Sequence, residues 1–529
     1  MHDETLVQLH GGRVARQPNR HRGILYSPVS METGDGSQVR SGLSAGGSRI
    51  RTLGPPARVI ELGQDATPRE IFAYGKAADR SAAPSAGKRF PIARNAPETR
   101  GSDLRHNANR SAGPEMTMNA SEANYDLVLT GAQICDPATG LDRTCDLAVT
   151  GDRIAAVGSG LASRARQVIE LDGKLATAGW IDLHVHVFEW MTTFGLPPDD
   201  AGVHSGVTTA VDQGGTGAYT IAAFKHYIAE RALTDIRCFP SINSAGTLRG
   251  GLAGPIIHTP EVVDVELLVA EANAHPRLVR GFGEIHAESG AYSRWGFDVV
   301  RKAREASGRT GLPLYFHTGE LFEVDEARRP EPRSLLPEIL AVARPGDILG
   351  HVYSAMPDGV LGADQTPSPA LIDAAANGLL LDIGFGINFS YATARRMIAA
   401  GVLPHIISSD LHARFSVMHD DSALDYSLAG AFARLVALGM PFSDAVAAVT
   451  INPARVLGEE AEIGTLSIGS RADVTVLEER IEDWPMRDGQ GEILVAERRW
   501  LPRLVLRAGQ PVVPTLRLVR DVTAPAAAA

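Results

Sequence analysis

Two histidines two residues apart, His184 and His186, are the first sign of chemistry in this chain. They end the stretch Gly179-Trp-Ile-Asp-Leu-His-Val-His186, an apolar run that reads as a strand. Side chains at i and i+2 leave a strand on the same face. Both imidazoles then point together from one strand end, as metal ligation requires. A pair that only hydrogen-bonds locally is the plainer alternative, and the rest of the chain has to separate the two.

The elements that must position the pair lie between about 178 and 456, where strand and helix signals alternate. Strand candidates are Trp180–His186, Thr208–Asp212, Arg237–Ser241, Val279–His286, Pro313–His317, Asp347–His351, Leu379–Gly384 and His405–Asp410. Helix-like segments separate most of them, among them Thr220–Leu233, Pro260–Ala274, Gly296–Ser307 and Thr393–Ala400. Eight strands alternating with helices predict an α/β fold, a (β/α)8 TIM barrel, with a doubly wound open sheet as competitor. No Gly-x-Gly-x-x-Gly follows the first strand, so a dinucleotide site has no support.

In such a barrel the reactive groups sit at the C-terminal strand ends. His184 and His186 end the first candidate, Glu284 lies near the end of the fourth, and His317 ends the fifth. His351 ends the sixth and Asp410 the eighth. Four imidazoles and two carboxylates are a natural ligand set for one or two Zn2+ ions, with other divalent metals allowed.

Flanking this region, short alternating strands split by Gly/Asp turns occupy 122–178 and recur within 457–520. Neither set makes a core alone; together they predict one small β-sandwich with 178–456 inserted between its halves. Residues 1–117 are rich in Arg, Gly, Ser and Pro without a sustained period. They read as a disordered leader, or as an artefact of start-codon choice with the true start at Met116 or Met118.

The composition narrows the function classes. A formal net charge of -11 over 529 residues argues against a nucleic-acid partner. No run of about twenty apolar residues predicts a membrane span, and no secretory signal is visible at the start. Three widely spaced cysteines, Cys135, Cys145 and Cys238, suit a reducing, cytoplasmic setting. The expected partner is a small-molecule substrate; a homo-oligomer is allowed.

Together these features resemble the amidohydrolase superfamily over most of residues 122–480. The matching residues are the His184-x-His186 pair, His317, His351, Asp410, Asn452-Pro453-Ala454, Gly464-Thr-Leu and Ala472-Asp473. One departure stands out. Many binuclear members bridge their metals with a carboxylated Lys on strand four, and this chain has none there; Lys225 and Lys302 fall in helix-like segments. Glu284 is the substitute, with Glu288 the alternative if the register slips. The resemblance is nearest to the dihydroorotase-like, amidohydrolase/deacetylase subgroup, through Asp182-Leu-His-Val-His-Val, Ser205-Gly-Val-Thr-Thr-Ala-Val-Asp, Ser293-Arg-Trp-Gly and Ser408-Ser-Asp-Leu-His.

The resemblance implies hydrolysis of an acyl amide or ester of a small molecule. Bound zinc lowers the pKa of water from about 15.7 to about 7, and Asp410 is placed as general acid/base. Phe188 stands where true dihydroorotases carry a substrate-binding Arg, which argues against that activity. A cyclic amide or imide hydrolase and a heterocycle aminohydrolase (deaminase, with Glu320 as its acid) are the alternatives. Candidate substrate contacts are His412, Arg294, His286 and Tyr292.

Overall fold

The computed structural model describes residues 125–248, 257, 260–286, 297–319, 336–357, 359–412 and 425–519. The leader expected at 1–117 lies outside them. Among the described residues no helix is long and apolar enough to cross a membrane.

The strands follow in order: β1 (Tyr125–Asp136), β2 (Leu141–Thr150), β3 (Arg153–Gly158), β4 (Ala165–Glu170), β5 (Leu175–Ala178), β6 (Trp180–Val185), β7 (Val207–Gly217), β8 (Asp235–Ser241), β9 (Phe282–His286), β10 (Leu314–His317), β11 (Ile348–Leu349), β12 (Leu380–Leu381), β13 (Val474–Arg487), β14 (Ile493–Arg507) and β15 (Gln510–Val512). The two flanking segments meet in one eight-stranded sheet of order β15-β14-β13-β5-β1-β2-β3, with β4 also on β1. The join is antiparallel pairing of Leu175–Ala178 with Val474–Leu477. β1 changes partner along its length, from β4 at Tyr125–Thr130 to β5 at Gln133–Ile134. The change falls at a register shift between Leu129 and Ala132, where Gly131 takes a φ of 65°. Glycine enters that left-handed region without steric cost, as such a bulge requires. Leu127, Leu129, Ile134, Leu147, Val149, Val474, Val476, Leu504 and Leu506 form one apolar cluster within this sheet.

Between the flanks the pairing is parallel. β6-β7-β8 form one ladder and β9-β10-β11-β12 another. A Cys238–Val279 bridge connects the two, Asp382 bridges to Ile406, and Leu411 bridges back to Val185. The pairings therefore run through eight segments and return to the first. β6 is buried at every position, as expected of a parallel strand covered on both faces. Ile181, Leu183, Val211, Phe239, Tyr315, Ile348 and Ile406, drawn from six of these segments, share one apolar cluster.

The strand expectations land on the right segments but overrun at several ends. The sixth and seventh shrink to Ile348–Leu349 and Leu380–Leu381. His405–Asp410 is held by isolated bridges at Ile406 and at the following Leu411 rather than by a ladder. The reason is local: His351 and Asp410 both have left-handed φ, 57° and 50°, which ends an extended run. Three helices, Val265–Ala274, Tyr391–Ala399 and Leu428–Ala437, begin at a side-chain cap. Asp264 accepts from Leu267 N, Ser390 from Thr393 N and Ser427 from Gly430 N. The Thr220–Leu233 expectation is broken into an α-turn at Ile221–Phe224 and a π-helical turn at Lys225–Ala229.

A largely buried ionic network ties the parallel segments to the flanking sheet. Asp235 at the start of β8 pairs with Arg237 at 2.5 Å and with Arg471 at 2.6 Å. Arg237 also reaches Glu459 at 3.0 Å, and Arg471 reaches Asp473 at 2.5 Å. Burial alone would raise the Asp235 carboxyl, but Arg237, Arg471 and Arg507 hold it down at about 2. A depressed folded pKa means the stabilisation is complete above the unfolded value near ~4 and is lost only as pH falls toward the folded value. Removing one member of a buried network leaves its partners uncompensated. Asp235→Ala should cost about 3–5 kcal/mol by denaturant unfolding at pH 7; a loss below about 1 kcal/mol, typical of surface pairs, would show that the network does not join the two parts.

Candidate metal centre

The six residues expected as ligands converge. His184 is the next-to-last residue of β6 and His186 directly follows the strand; Glu284 lies in β9, His317 ends β10, His351 follows β11 and Asp410 precedes the Leu411 bridge. All six side chains are buried. His184 Nε2 lies 3.4 Å from both Glu284 Oε1 and Asp410 Oδ1. His186 Nε2 is 3.2 Å from Asp410 Oδ1, and His351 Nε2 is 3.1 Å from Glu284 Oε1. Two sets of three donors each fit within 4.8 Å: His184, His186 and Glu284, and Glu284, His317 and His351. Glu284 belongs to both. The His317 and His351 rings are 4.3 Å apart, and His184 and His186 5.2 Å apart.

Hydrogen bonding fixes which nitrogens face the centre. His351 Nδ1 lies 2.8 Å from the Gly384 carbonyl, which can only accept, so Nδ1 carries the hydrogen. Tyr315 donates its single hydroxyl hydrogen to Asp382 Oδ2 at 2.9 Å, so its oxygen accepts from His184 Nδ1, also at 2.9 Å. Both Nε2 atoms therefore present lone pairs to carboxylate oxygens. His184 Nε2 is buried and makes no hydrogen bond. Acceptors facing one another in a dry site are costly unless positive charge lies between them. The donor set thus fits divalent cations, as imidazole and carboxylate suit zinc and its neighbours. Without a cation, protons answer the same demand. Burial alone would lower the His351 pKa, but the hydrogen bond to Glu284 and the Asp410 and Glu284 charges push it up to about 9. Burial alone would raise the Asp410 carboxyl, but the surrounding imidazoles, His184 foremost, hold it below the usual carboxylate range.

Sequence reasoning passed over the residues that aim this set. Asp212, at 0 % exposure, accepts from Val187 N at 2.9 Å and from Thr216 N at 3.3 Å, pinning the turn after His186. Asp182 accepts from the backbone of Ser409 and His184, tying the first segment to the eighth. Burial pushes its carboxyl up to about 7. Gly384 and Gly386 clear space: a Cβ on the first would sit 2.6 Å from His351 Nδ1, and one on the second would overlap Asp410 Oδ2. The signal was there in Gly384-Phe-Gly386 at a strand end, and in Asp182, two residues before His184 along β6.

Of the expected substrate contacts, His412 is buried beside the centre, its ring 5.8 Å from His186 and 5.9 Å from Phe194. The backbone of His286 ends β9 opposite His317, but its side chain lies outside the described residues. So do Glu288, Tyr292, Arg294 and Glu320.

A family model described as "Amidohydrolase family" matches residues 175–490. A deacetylase of Agrobacterium fabrum is 30% identical over 370 residues, covering 69% of this chain and 86% of its own. Among solved structures, "Crystal structure of an adenine deaminase" superposes with a TM-score of 0.65 at 27% identity, covering 74% of this chain and 100% of that one. "Crystal structure of a dihydroorotase" gives 0.64 at 28%, covering 73% and 99%. This chain belongs to the amidohydrolase family.

Gly386 supplies a direct test of the geometry. An alanine there meets Asp410 and must also hold a φ of 28°. Displacing a reacting group by an ångström costs about 100-fold in rate, so with Asp410 in its expected general acid/base role Gly386→Ala should lower kcat by about that factor. The left-handed backbone should subtract only about 1–2 kcal/mol of stability. An unchanged kcat would mean that Asp410 is not held where the structure puts it.

Proposed function

We propose that the protein is a metal-dependent hydrolase that cleaves an acyl amide or ester of a small molecule, acting as a deacylase or deacetylase. The observation that carries the reading is the pair of donor triads sharing the buried Glu284. In this reading His184, His186 and Asp410 would hold one cation and His317 and His351 a second, with Glu284 available to either. Zinc is the metal that the nitrogen and oxygen donors suit best.

When bound, the metal lowers the pKa of water and polarises the scissile carbonyl. The chain's own residues do the rest. Asp410, kept ionised by the imidazoles around it, takes the proton of the attacking water and returns it to the leaving nitrogen or oxygen. His186 Nε2 lies 3.2 Å from Asp410 Oδ1, near enough for the two to serve one cation. His412 and Phe194, packed edge-on to His186, form the wall against which the acyl group lies. The deacetylase name of the Agrobacterium relative supports the deacylase reading. The titles of the two solved structures, adenine deaminase and dihydroorotase, keep deamination and ring opening as the second reading.

The architecture we propose around the site is a (β/α)8 barrel over 178–456, supported by the parallel pairings that return from Leu411 to Val185. The branched eight-stranded sheet, with one apolar cluster around Leu129, Leu147 and Val476 and a second around Tyr125, Val128 and Ala148, supports a small flanking β-sandwich from 122–178 and 457–520.

A screen of N-acyl amino acids, acyl hydroxy acids and cyclic imides, with metal counted on the same sample, tests the function. Carboxylate release by protein carrying stoichiometric divalent metal is the expected result. Ammonia release would select the deaminase reading, and protein purified without chelator yet holding no metal would overturn every enzymatic version. Asp410→Asn cannot relay a proton; it should keep its metal and lose about 100–10,000-fold in kcat. Full activity in that variant would remove Asp410 from the proton transfer.

A further inference from the structure

Tyr315 and Asp382 lie beneath the metal centre, both fully buried. Neither belongs to the candidate ligand sets. Their hydrogen bonds form a chain with one allowed direction. Asp382 accepts from Ser408 Oγ at 2.8 and 2.7 Å and from Gly384 N at 3.3 Å. It also accepts from Tyr315 at 2.9 Å. A phenol has one hydrogen; once the carboxylate takes it, the phenol oxygen can only accept from His184 Nδ1. The Tyr315 and His184 rings meet edge to face, centroids 5.1 Å apart at 84°, which leaves the imidazole little room to turn.

The slot for Tyr315 is itself built. A Cβ at Gly350 would sit 2.5 Å from the Tyr315 hydroxyl oxygen, and a Cβ at Gly283 would sit 2.8 Å from Tyr315 Cβ. Those two glycines immediately precede His351 and Glu284. Neighbouring segments that carry site residues thus each give up a side chain so that this phenol fits. An apolar residue at 315 would fill the same space but leave His184 free to protonate either nitrogen.

We propose that Tyr315, anchored by Asp382, is a positioning residue that locks His184 in the tautomer whose Nε2 binds the cation. The idea rests on the metal-centre reading above and adds a carboxylate–tyrosine–histidine relay to it. Partners that fix a ligating histidine are worth about 10–100-fold in metal affinity.

The test is Zn2+ affinity of the metal-stripped full chain, measured by competition with a chromogenic chelator. Tyr315→Phe should bind Zn2+ about 10–100-fold more weakly than the unsubstituted protein. Tyr391→Phe is the control: it removes an equally buried hydroxyl that donates to the Met486 carbonyl, and its Zn2+ affinity should not change. Asp382→Asn frees the phenol hydrogen to turn toward His184 Nδ1. It should weaken Zn2+ as Tyr315→Phe does, and it carries the test if Tyr315→Phe fails to fold. The double variant should be no weaker than Tyr315→Phe alone, since both changes act on one nitrogen. Tyr315→Phe within twofold of the unsubstituted protein, or an equal loss in Tyr391→Phe, would overturn the relay while leaving the metal centre standing. No Zn2+ binding by the unsubstituted protein would overturn both.

Discussion

The site is organised around one electrostatic demand: Glu284 places a carboxylate oxygen 3.4 Å from one imidazole nitrogen and 3.1 Å from another. Both nitrogens are turned toward it by hydrogen bonds on their far side, to Tyr315 and to the Gly384 carbonyl. Lone pairs brought together away from bulk solvent call for positive charge. Protons meet that demand at His351, and divalent cations would meet it across the whole set. The surrounding packing reads as the means of holding acceptors that would otherwise separate.

Those means are local and specific. His351 and Asp410 leave their segments in left-handed backbone, φ 57° and 50°. Non-glycine residues there cost about 1–3 kcal/mol each and gather where function needs them. Opposite each stands a glycine, Gly384 against His351 and Gly386 against Asp410, where any side chain would intrude. Asp212 and Asp182 fix the backbone around the histidine pair from within the parallel segments. Farther away, the Asp235–Arg471 contact anchors these segments to the sheet built from both flanks.

Much of this was readable in the sequence because hydrophobic period and polar strand ends are local properties. The His184-x-His186 spacing, and the positions of His317, His351 and Asp410 at the ends of apolar runs, sufficed to nominate residues that the fold brings together. Glu284 was nominated by what was missing, a lysine on the same stretch. Strand lengths were less legible, since a left-handed residue such as Asp410 ends an extended run without any mark in composition. The supporting layer was also hidden. Tyr315 reads as a core aromatic and Asp382 as a turn residue; only the fold brings them within hydrogen-bonding distance, 67 positions apart in the chain. Tyr292 and Arg294, outside the described residues, add nothing to that comparison.

The central claim, that Glu284 is shared between two cation positions, is most directly tested by anomalous X-ray diffraction at the metal absorption edge on protein purified without chelator. The account predicts two peaks on either side of the Glu284 carboxylate, one against His184 and His186 and one against His317 and His351. Peaks that avoid Glu284, or none at all in protein that turns over substrate, would contradict it.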